Sequence, residues 1–247
     1  MVGGSLSISS RTIAIIQARM GSSRLPGKMM MDLCGQPILH WVFSRVKRAK
    51  LTDSILLATS DSKKDDPLEE LAKKLNVPVF RGSEQDVLGR FVAAANMARA
   101  DNIVRICGDN PLIAPEEIDR LIEVFEAGLK EENNSDNLYA FNFASKLANQ
   151  YPDRLGAEIL SMPLLKRISE LDDQPSSREH VTKYSWDHPE QYIIRTFPAP
   201  KEIAGPSIRL DVDSYEDLER LNILCAHLNE DSSSKKIIQV YKEQFKL

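Results

Sequence analysis

The chain of 247 residues has few of the sequence features that mark disulfide-bonded, zinc-binding or membrane-spanning proteins. It has three cysteines, Cys34, Cys107 and Cys225, without CxxC spacing, and it has no apolar run long enough to cross a bilayer. An odd number of separate cysteines argues against a disulfide framework and against a zinc site, and it favours buried structural thiols in a reducing compartment. We therefore expect a cytoplasmic protein without a membrane-spanning segment.

The chain also lacks an excess of positive charge. Its net charge is −4 and its pI is about 5.7, so no general attraction to a nucleic acid backbone is expected and any anion site must be local. Residues 1–11 lack the basic region and the apolar stretch of a secretory signal, and we expect them to form a disordered leader. The length suits one main core, which predicts a single domain at residues 12–247.

Apolar runs of strand length alternate with segments in which apolar residues recur at i, i+3 and i+4. Repeated strand and helix predict an α/β fold of three layers, with a mostly parallel, Rossmann-like sheet and helices on both faces. The predicted strands are Thr12–Gln17, Ser54–Thr59, Val77–Phe80, Asn102–Ile106 and Leu138–Phe143, and the predicted helices are Pro37–Ala49, Asp66–Leu75, Glu84–Arg99 and Pro115–Phe125.

The pattern is less regular in the second half of the chain. Residues 144–206 are expected to form a small inserted lobe that helps to bind an acceptor, or an arm that pairs with a second subunit. Within them, Ser161–Leu171 and Arg178–His188 are predicted helices, and Tyr192–Phe197 is a predicted extended segment.

The stretch GSSRLPGK, which ends at Lys28, follows the first predicted strand and resembles a Walker A loop without matching it. Its glycines are six positions apart instead of five, Lys28 precedes methionine instead of a metal-binding hydroxyl, and Pro26 offers no amide hydrogen. A P-loop NTPase is therefore disfavoured. Arg19, Arg24 and Lys28 nevertheless lie at the carboxyl end of a strand, where open α/β sheets bind ligands. This basic loop, residues 18–28, can hold a triphosphate, and a solvated basic turn is the alternative.

Acidic residues follow two later segments. Asp109, in RICGDNPLI, stands after a predicted strand and therefore at the same sheet edge as the basic loop. In RLDVDSYEDL, Asp211 and Asp213 alternate along what we interpret as a strand end, so their carboxylates are expected to point the same way. Mg²⁺ takes one or two carboxylates together with phosphate oxygens. The alternative is a plain strand end before a helix cap, since Ser214 and Asp217 predict a capping box for the final long helix.

The segments YPDRLGAE and SREHV place charged residues in the less regular half of the chain. They are candidates for binding an acceptor, and an ordinary solvated surface is the alternative. His180, beside Glu179, is a candidate proton carrier. The candidates are Arg154, Glu158, Arg178, Glu179 and His180.

Three motifs together resemble the sugar-activating nucleotidylyltransferases, and specifically their cytidylyltransferase branch. Members carry an early ARxxSxRLPGK loop, a strand ending in GDxPL and a late D-x-x-E-D segment, which appear here in order as QARMGSSRLPGK, CGDNPLI and DVDSYEDL. The likeness extends to ATSDSKKDDPL, VFRGSEQDVLGRF and REHVTKYSWDHPE and covers Thr12–Leu228. The chain is most similar to the spore-coat polysaccharide nucleotidyltransferase family, which is related to the CMP-sialic acid and CMP-Kdo synthetases.

The resemblance implies a sheet of the nucleotide-diphospho-sugar transferase type and assigns roles to residues of this chain. It implies triphosphate contacts for Ser22 and for the three candidate catalytic cations, Arg19, Arg24 and Lys28. It implies Mg²⁺ ligation by Asp109 and Asp213, with Asp211 in support. The further nucleotide-binding candidates are Ala18, Gly21, Ser23, Ala58, Thr59, Asp61, Arg81, Gly82 and Ser83, and the further acceptor-binding candidates are Arg90 and Asn110.

The function that the resemblance implies is Mg²⁺-dependent transfer of CMP from CTP to a small-molecule acceptor, a sugar acid or a related derivative, with release of pyrophosphate. The product is CMP-linked if a hydroxyl attacks and CDP-linked if a phosphate attacks, and both stay open. Kdo synthetases have glutamine and glutamate around the central aspartate where this chain has CGDNP, so their Kdo-specific contacts are not carried over. A homodimer is implied by family analogy alone.

Two other functions would use some of the same residues. A glycosyltransferase would use Asp211 and Asp213 as a metal-binding DxD motif, but the basic loop carries cations suited to the β- and γ-phosphates that a nucleotide-sugar lacks. A non-catalytic nucleotide-sensing module would bind CTP without consuming it, and the paired metal-binding aspartates argue for chemistry instead.

Overall fold

The computed structural model describes residues 10–133, 136–143 and 149–246, so residues 1–9 of the expected leader and residues 144–148 of the expected inserted region lie outside the described part. Its strands, in chain order, are β1 (Thr12–Gln17), β2 (Asp32–Leu33), β3 (Gln36–Pro37), β4 (Ser54–Ser60), β5 (Val79–Gly82), β6 (Asn102–Cys107), β7 (Leu138–Phe141), β8 (Glu158–Ser161) and β9 (Ile193–Arg195).

Seven of these strands form one mixed sheet in the order β5-β4-β1-β6-β8-β7-β9, and β2 and β3 form a small separate pair. β1 lies between β4 and β6 and is parallel to both, whereas β8 is antiparallel to its neighbours β6 and β7. Ile13–Ile16 is fully buried, as expected for a parallel strand covered on both faces. The predicted three-layer α/β fold with a mostly parallel sheet is confirmed.

The helices cover the sheet on both sides. They are α1 (Ile38–Val46), α2 (Asp66–Lys74), α3 (Val87–Ala98), α4 (Pro115–Glu131), α5 (Met162–Leu171), α6 (Pro175–Arg178), α7 (Lys183–Asp187), α8 (Tyr215–Cys225) and α9 (Ser234–Phe245). Ala14 and Ile16 of β1 pack with α1, α2 and α4, whereas Ile13 and Ile15 pack with α3 and α5, because successive strand residues point to opposite faces. None of the described helices is both long and apolar enough to cross a membrane.

Most predicted elements are confirmed with shifted ends, and β2, β3, β8 and α9 were not predicted. β5 begins at Val79, and α4 continues beyond Phe125 to Glu131. β8 was missed because its four buried residues run directly into α5 and carry no periodicity of their own. The prediction that the helix capped by Ser214 is the final one is wrong, because α9 follows it.

The single predicted helix Arg178–His188 is wrong as well. Its residues form the end of α6 and the whole of α7, separated by a tight turn at Val181, which has a φ of 58°. A positive φ is unusual for a β-branched residue, and the N–H of Thr182 donates to the carbonyl oxygen of His180 across this turn at 2.6 Å. The turn interrupts the helix and leaves the His180 side chain exposed.

All three cysteines are free thiols. Cys225 is buried and Cys107 is half-buried, whereas Cys34 is exposed, so the expectation of buried thiols is wrong at Cys34. Burial raises the pKa of the Cys107 thiol, which therefore stays protonated at neutral pH.

Serine caps begin both C-terminal helices. At α8 the predicted capping box is confirmed: Ser214 Oγ accepts from the N–H of Asp217 at 3.3 Å, and Asp217 Oδ2 accepts from the N–H of Ser214 at 2.9 Å. At α9, Ser233 Oγ accepts from the N–H of Lys236 at 3.3 Å. The two helices pack with each other in one apolar cluster, so each cap contributes to the same core.

We expect Ser214→Ala and Ser233→Ala each to lower the free energy of unfolding by about 1 kcal/mol, the usual cost of removing a serine cap. Ser214→Thr, which keeps the acceptor oxygen, is the control and should lose less. Urea unfolding followed by circular dichroism measures all three. A Ser214→Ala protein as stable as the wild type would show that the capping box does not stabilise α8.

Candidate active site

The loops that follow β1 and β6 meet at the carboxyl edge of the sheet and enclose a cavity of about 280 Å³. This edge is where open α/β sheets bind ligands. The lining residues are Gln17, Ala18, Arg19, Ser22, Ser23, Arg24, Lys28, Met29, Val87, Arg90, Arg105, Cys107, Gly108, Asp109, Arg154, Glu179, His180 and Asp213.

The basic loop has a fixed backbone shape. The carbonyl oxygen of Met20 accepts a hydrogen bond from the N–H of Gly27 at 2.9 Å, and the N–H of Met20 donates to the buried carboxylate of Asp65 at 2.7 Å. Gly27 has a φ of 76°, which glycine adopts without steric cost, and a short 3₁₀ helix follows at Lys28–Met30. These contacts turn the end of the loop towards the core.

Gly108 brings the second loop against the first. Its N–H donates to the carbonyl oxygen of Gln17 at 2.8 Å. A Cβ atom at position 108 would lie 2.9 Å from both that oxygen and the Cβ of Ala18, closer than side chains normally approach. The absence of a side chain at Gly108 therefore lets Asp109 stand beside the basic loop. The sequence analysis identified GDNPL but gave no role to its glycine.

Lys28 connects both loops with the segment before α8. Its Nζ donates hydrogen bonds to Asp109 Oδ2 at 2.7 Å, to the carbonyl oxygen of Val212 at 2.6 Å and to Asp213 Oδ1 at 2.9 Å. The side chain of Lys28 is 5% exposed. Burial lowers the pKa of Lys28, but the two carboxylates outweigh burial and hold it above its ordinary value. Lys28 therefore stays charged, and all three of its donors are used.

Asp213 is held from three directions. The N–H of Asp213 donates to Asp217 Oδ2 at 3.0 Å, so the capping box of α8 fixes its backbone. Its Oδ1 accepts from Lys28, and its Oδ2 accepts from Arg24 Nη1 at 2.9 Å. Burial raises the pKa of Asp213, but these cations outweigh burial and leave the pKa below its ordinary value. Asp213 therefore presents a fixed, ionised carboxylate to the cavity.

Positive charge exceeds negative charge around this cavity. Among the described residues, six cations line it against three carboxylates, which favours a polyanionic ligand. Two of the arginines pair with carboxylates of the same cavity: Arg19 pairs with Glu179, and the largely exposed Arg24 pairs with Asp213. Arg90 is buried, and burial together with the nearby Arg19 lowers its pKa. The cations are Arg19, Arg24, Lys28, Arg90, Arg105 and Arg154, and the carboxylates are Asp109, Glu179 and Asp213.

A second cavity of about 450 Å³ adjoins the first, and Arg105 lies between the two. Arg105 Nη1 donates to Glu158 Oε2 at 2.9 Å and its Nε donates to Gln17 Oε1 at 3.1 Å. Burial lowers the pKa of Arg105, and Glu158 more than offsets burial and raises it. Arg105 was not predicted as a site residue, because a single arginine in an apolar strand gives no motif. The second cavity is lined by Arg105, Phe143, Asp153, Arg154, Glu158, His180, Thr182, Lys183, Trp186 and Asp187.

The structure brings part of the predicted set together. Twelve of the predicted residues line the first cavity: Ala18, Arg19, Ser22, Ser23, Arg24, Lys28, Arg90, Asp109, Arg154, Glu179, His180 and Asp213. Glu158 lines the second cavity, as Arg154 and His180 also do. The remaining predicted residues line neither: Gly21, Ala58, Thr59, Asp61, Arg81, Gly82, Ser83, Asn110, Arg178 and Asp211.

Two arginines outside the cavities tie elements of the protein together. Arg81 donates to Asp66 and Glu69, each at 2.7 Å, and so fixes β5 to α2. Arg178 makes a two-point contact with Asp86, with both distances at 3.0 Å, and so fixes α6 to the start of α3. In this structure both side chains therefore bind carboxylates of the protein outside the two cavities.

The interpretation of RLDVD as a strand end is wrong. Within the described residues the segment pairs only through an isolated bridge between Arg209 and Asp153. The alternation of a strand therefore does not apply, and Asp211 and Asp213 do not share a surface. Asp211 is 2% exposed and accepts from Arg209 at 2.9 Å, whereas Asp213 reaches the cavity.

The carboxylate oxygens of Asp109 and Asp213 are ligands of the kind that suits a hard divalent cation, which a bound phosphate would also contact. No group of three or more His, Cys, Asp or Glu side chains able to hold a metal occurs among residues 10–133, 136–143 and 149–246. Asp109 and Asp213 are nevertheless close together, because one oxygen of each accepts a hydrogen bond from Lys28 Nζ, and Lys28 does not bind the other oxygen of either. Mg²⁺ can be bound by one or two carboxylates, with phosphate oxygens completing its shell.

Known proteins resemble this chain in sequence and in fold. A protein-family profile described as cytidylyltransferase matches residues 13–244. The chain is 37% identical over 234 residues to the spore coat polysaccharide biosynthesis protein SpsF of Bacillus subtilis (strain 168), with 91% of each chain covered. Among solved structures it is similar to a cytidylyltransferase from Leptospira borgpetersenii serovar Hardjo-bovis (strain JB197), with a TM-score of 0.85, 31% identity and 96% of each chain covered. A CMP:2-keto-3-deoxy-manno-octonic acid synthetase complexed with CTP has a TM-score of 0.65 at 20% identity, over 88% of this chain and 99% of the other, and shares the fold.

The buried pair at the boundary of the cavities generates a prediction for stability. The side chains of Arg105 and Glu158 are 10% and 9% exposed. We expect Arg105→Met or Glu158→Gln alone to cost about 3–5 kcal/mol of unfolding free energy, because each leaves a buried charge without its partner. The double variant should cost less than the sum of the two single variants.

Urea unfolding of the two single variants and the double variant measures this coupling. Lys183→Met is the matched control, because its pair with Asp187 is exposed and should contribute about 0–1 kcal/mol. If Arg105→Met were as mild as Lys183→Met, the buried pair would not stabilise this edge of the sheet.

Proposed function

This chain belongs to the cytidylyltransferase family, and from that premise we propose that it transfers CMP from CTP to a sugar acid or a related acceptor, in the synthesis of polysaccharide precursors, with release of pyrophosphate. The family resemblance seen in the sequence is thereby confirmed, and the chain is an enzyme of the nucleotidyltransferase class. The observation that carries the proposal is the convergence of the basic loop, Asp109 and Asp213 on one cation-rich cavity.

The two adjoining cavities suit two different ligands. The first has an excess of cations and suits a triphosphate. The second is lined by three cations and three carboxylates and by the rings of Phe143 and Trp186, which suits a polar sugar-like acceptor. The residues that line both are Arg105, Arg154 and His180. In our proposal the acceptor oxygen and the α-phosphorus meet at this boundary.

The proposed reaction is an in-line displacement at the α-phosphorus. The acceptor oxygen forms a bond to phosphorus while the bond to the β-phosphate oxygen breaks, and pyrophosphate leaves with the electron pair. An acceptor hydroxyl also loses its proton, for which His180, which lines both cavities, is our candidate carrier, whereas an ionised phosphate acceptor has no proton to lose. The protein contributes mainly position and neutralisation of charge, so no covalent nucleophile is needed. Arg19 and Arg24, on the basic loop, are placed to neutralise the departing pyrophosphate.

The contacts of Lys28 indicate a different task. Its three donors bind Asp109, Asp213 and the carbonyl oxygen of Val212, so it positions the two carboxylates. To contact a phosphate as the resemblance implies, it would have to release one of these acceptors. We therefore propose positioning of Asp109 and Asp213 as its main role and phosphate contact as an additional one.

Mg²⁺ belongs to this proposal as the cofactor, with Asp109 and Asp213 as its ligands. When bound, Mg²⁺ would neutralise phosphate charge and act as a Lewis acid towards the phosphoryl group. A cytoplasmic location and a homodimer also remain parts of the proposal.

We expect Asp109→Asn to lower turnover by about a hundredfold or more, the range found when one electrostatic stabiliser is removed, with the fold retained. Lys28→Ala should have an effect of similar size. Asp173→Asn, which changes an exposed aspartate outside both cavities, is the control and should stay near wild-type activity. Pyrophosphate release measures turnover. Near-full activity in both the Asp109 and the Lys28 variants would rule out this site.

The same assay tests the substrates. Each nucleoside triphosphate is supplied with a panel of sugar acids, sugar phosphates and amino-sugar derivatives, and we expect pyrophosphate release to require CTP, a divalent cation and one class of acceptor. A product analysis by mass spectrometry distinguishes a CMP-linked from a CDP-linked sugar. Release of pyrophosphate with another nucleotide in preference to CTP would contradict the proposed donor.

A further inference from the structure

The Asp109–Asp213 pair is held by two cations that differ in how firmly they are fixed. Lys28 is 5% exposed and is bound to three acceptors. Arg24 is 72% exposed, and one hydrogen bond, from its Nη1 to Asp213 Oδ2 at 2.9 Å, attaches it to the site. An ion pair this exposed contributes little free energy, so Arg24 can leave its carboxylate at small cost.

The four carboxylate oxygens divide between a protein side and a cavity side. Lys28 takes Asp109 Oδ2 and Asp213 Oδ1 from the buried side. Asp109 Oδ1 accepts no hydrogen bond from any described residue, and Asp213 Oδ2 accepts only from Arg24. Both carboxylates are about a quarter exposed, at 23% and 25%. Two oxygens are therefore accessible to a ligand. One is Asp109 Oδ1, and the other is Asp213 Oδ2, which is covered by the weakly held Arg24.

We propose that Arg24 is an exchangeable counter-cation of Asp213. In the nucleotide-free protein its guanidinium neutralises the outward oxygen of this carboxylate. When nucleotide and divalent cation arrive together, Arg24 leaves Asp213 and moves to the phosphates, while Lys28 keeps its hydrogen bonds to both carboxylates. This inference rests on the proposed function, because it uses the proposed metal ligands.

The exchange preserves the pairing of charges at each stage. A guanidinium–carboxylate pair is replaced by a cation–carboxylate contact and a guanidinium–phosphate contact, so no charge is left without a partner. Arg24 sits in the basic loop, whose backbone is fixed at Met20 and Gly27, and so only its side chain has to move. Arg19 does not compete in the same way, since its partner is Glu179 at another part of the cavity wall.

The consequence is a competition that is measurable without any acceptor. In the nucleotide-free protein a divalent cation must displace Arg24, so Arg24→Gln should bind Mn²⁺ more tightly than the wild type by about two- to fivefold, the equivalent of an exposed ion pair. The same variant should bind Mg²⁺–CTP more weakly by about tenfold or more, because a charged hydrogen bond to phosphate is lost. These opposite changes would not follow from a purely structural role.

The experiment titrates Mn²⁺ into the nucleotide-free full chain and measures free Mn²⁺ by electron paramagnetic resonance, and calorimetry measures Mg²⁺–CTP. Arg19→Gln is the matched control, because it removes the same charge from the same cavity without touching Asp213, and its Mn²⁺ affinity should stay at the wild-type value. If Arg24→Gln and Arg19→Gln gained Mn²⁺ affinity equally, the loss of one positive charge from the cavity would explain the effect, and the exchange would be wrong.

Asp213→Asn separates this inference from the proposed function. It should weaken Mn²⁺ binding by about tenfold or more, since one of two charged ligands is lost. If Asp213→Asn weakens Mn²⁺ binding and Arg24→Gln behaves as the wild type, the exchange is wrong and the metal site stands. If Asp213→Asn leaves Mn²⁺ binding unchanged, the metal site is wrong and the exchange falls with it.

Discussion

One ammonium group holds the site together. Lys28 binds an aspartate from the loop after β6, an aspartate from the segment before α8 and a carbonyl oxygen of that segment, and these groups are 81 to 185 positions away in the chain. Without that charge two carboxylates would face each other in a partly buried space, which is strongly unfavourable. The pKa of Lys28 is raised because its attraction to the two carboxylates outweighs burial, so this contact stabilises the arrangement on which the proposed reaction depends.

The part of the site that could be predicted from the sequence follows from one property of parallel sheets. β1 and β6 are neighbours, so the loops at their carboxyl ends had to meet, and the basic loop and Asp109 do lie in one cavity. The same reasoning failed for Asp211, because RLDVD is not part of the sheet and the rule of alternation holds only for paired strands. Asp211 instead pairs with Arg209, and the DxD motif expected of a glycosyltransferase is not formed as one surface.

The rest of the site depends on contacts that no local pattern reveals. Arg105 is a lone charge in an apolar strand, and its partner Glu158 lies on β8, an antiparallel strand that was itself missed. The turn at Val181 contains no glycine, so the local sequence does not indicate it. It nevertheless ends the helical pattern and places His180 between the two cavities. At Arg105 the neighbour across the sheet decides the structure, and Val181 is buried in the apolar cluster that contains α3 and α5. In both cases tertiary contacts override the local sequence pattern.

The distribution of charge distinguishes the two cavities and favours one of them for a polyanion. The first cavity has an excess of cations, whereas the second is balanced by pairs such as Lys183 with Asp187, so a polyanion gains more by entering the first. Among the described residues no carboxylate lines both cavities, and two guanidinium groups, of Arg105 and Arg154, do. In the proposed reaction, negative charge on the phosphoryl oxygens at that boundary would therefore meet positive groups whichever acceptor oxygen attacks. Because Arg105 is buried and held by Glu158 and Gln17, its stabilisation of the transferring phosphoryl group would require little reorganisation during that reaction.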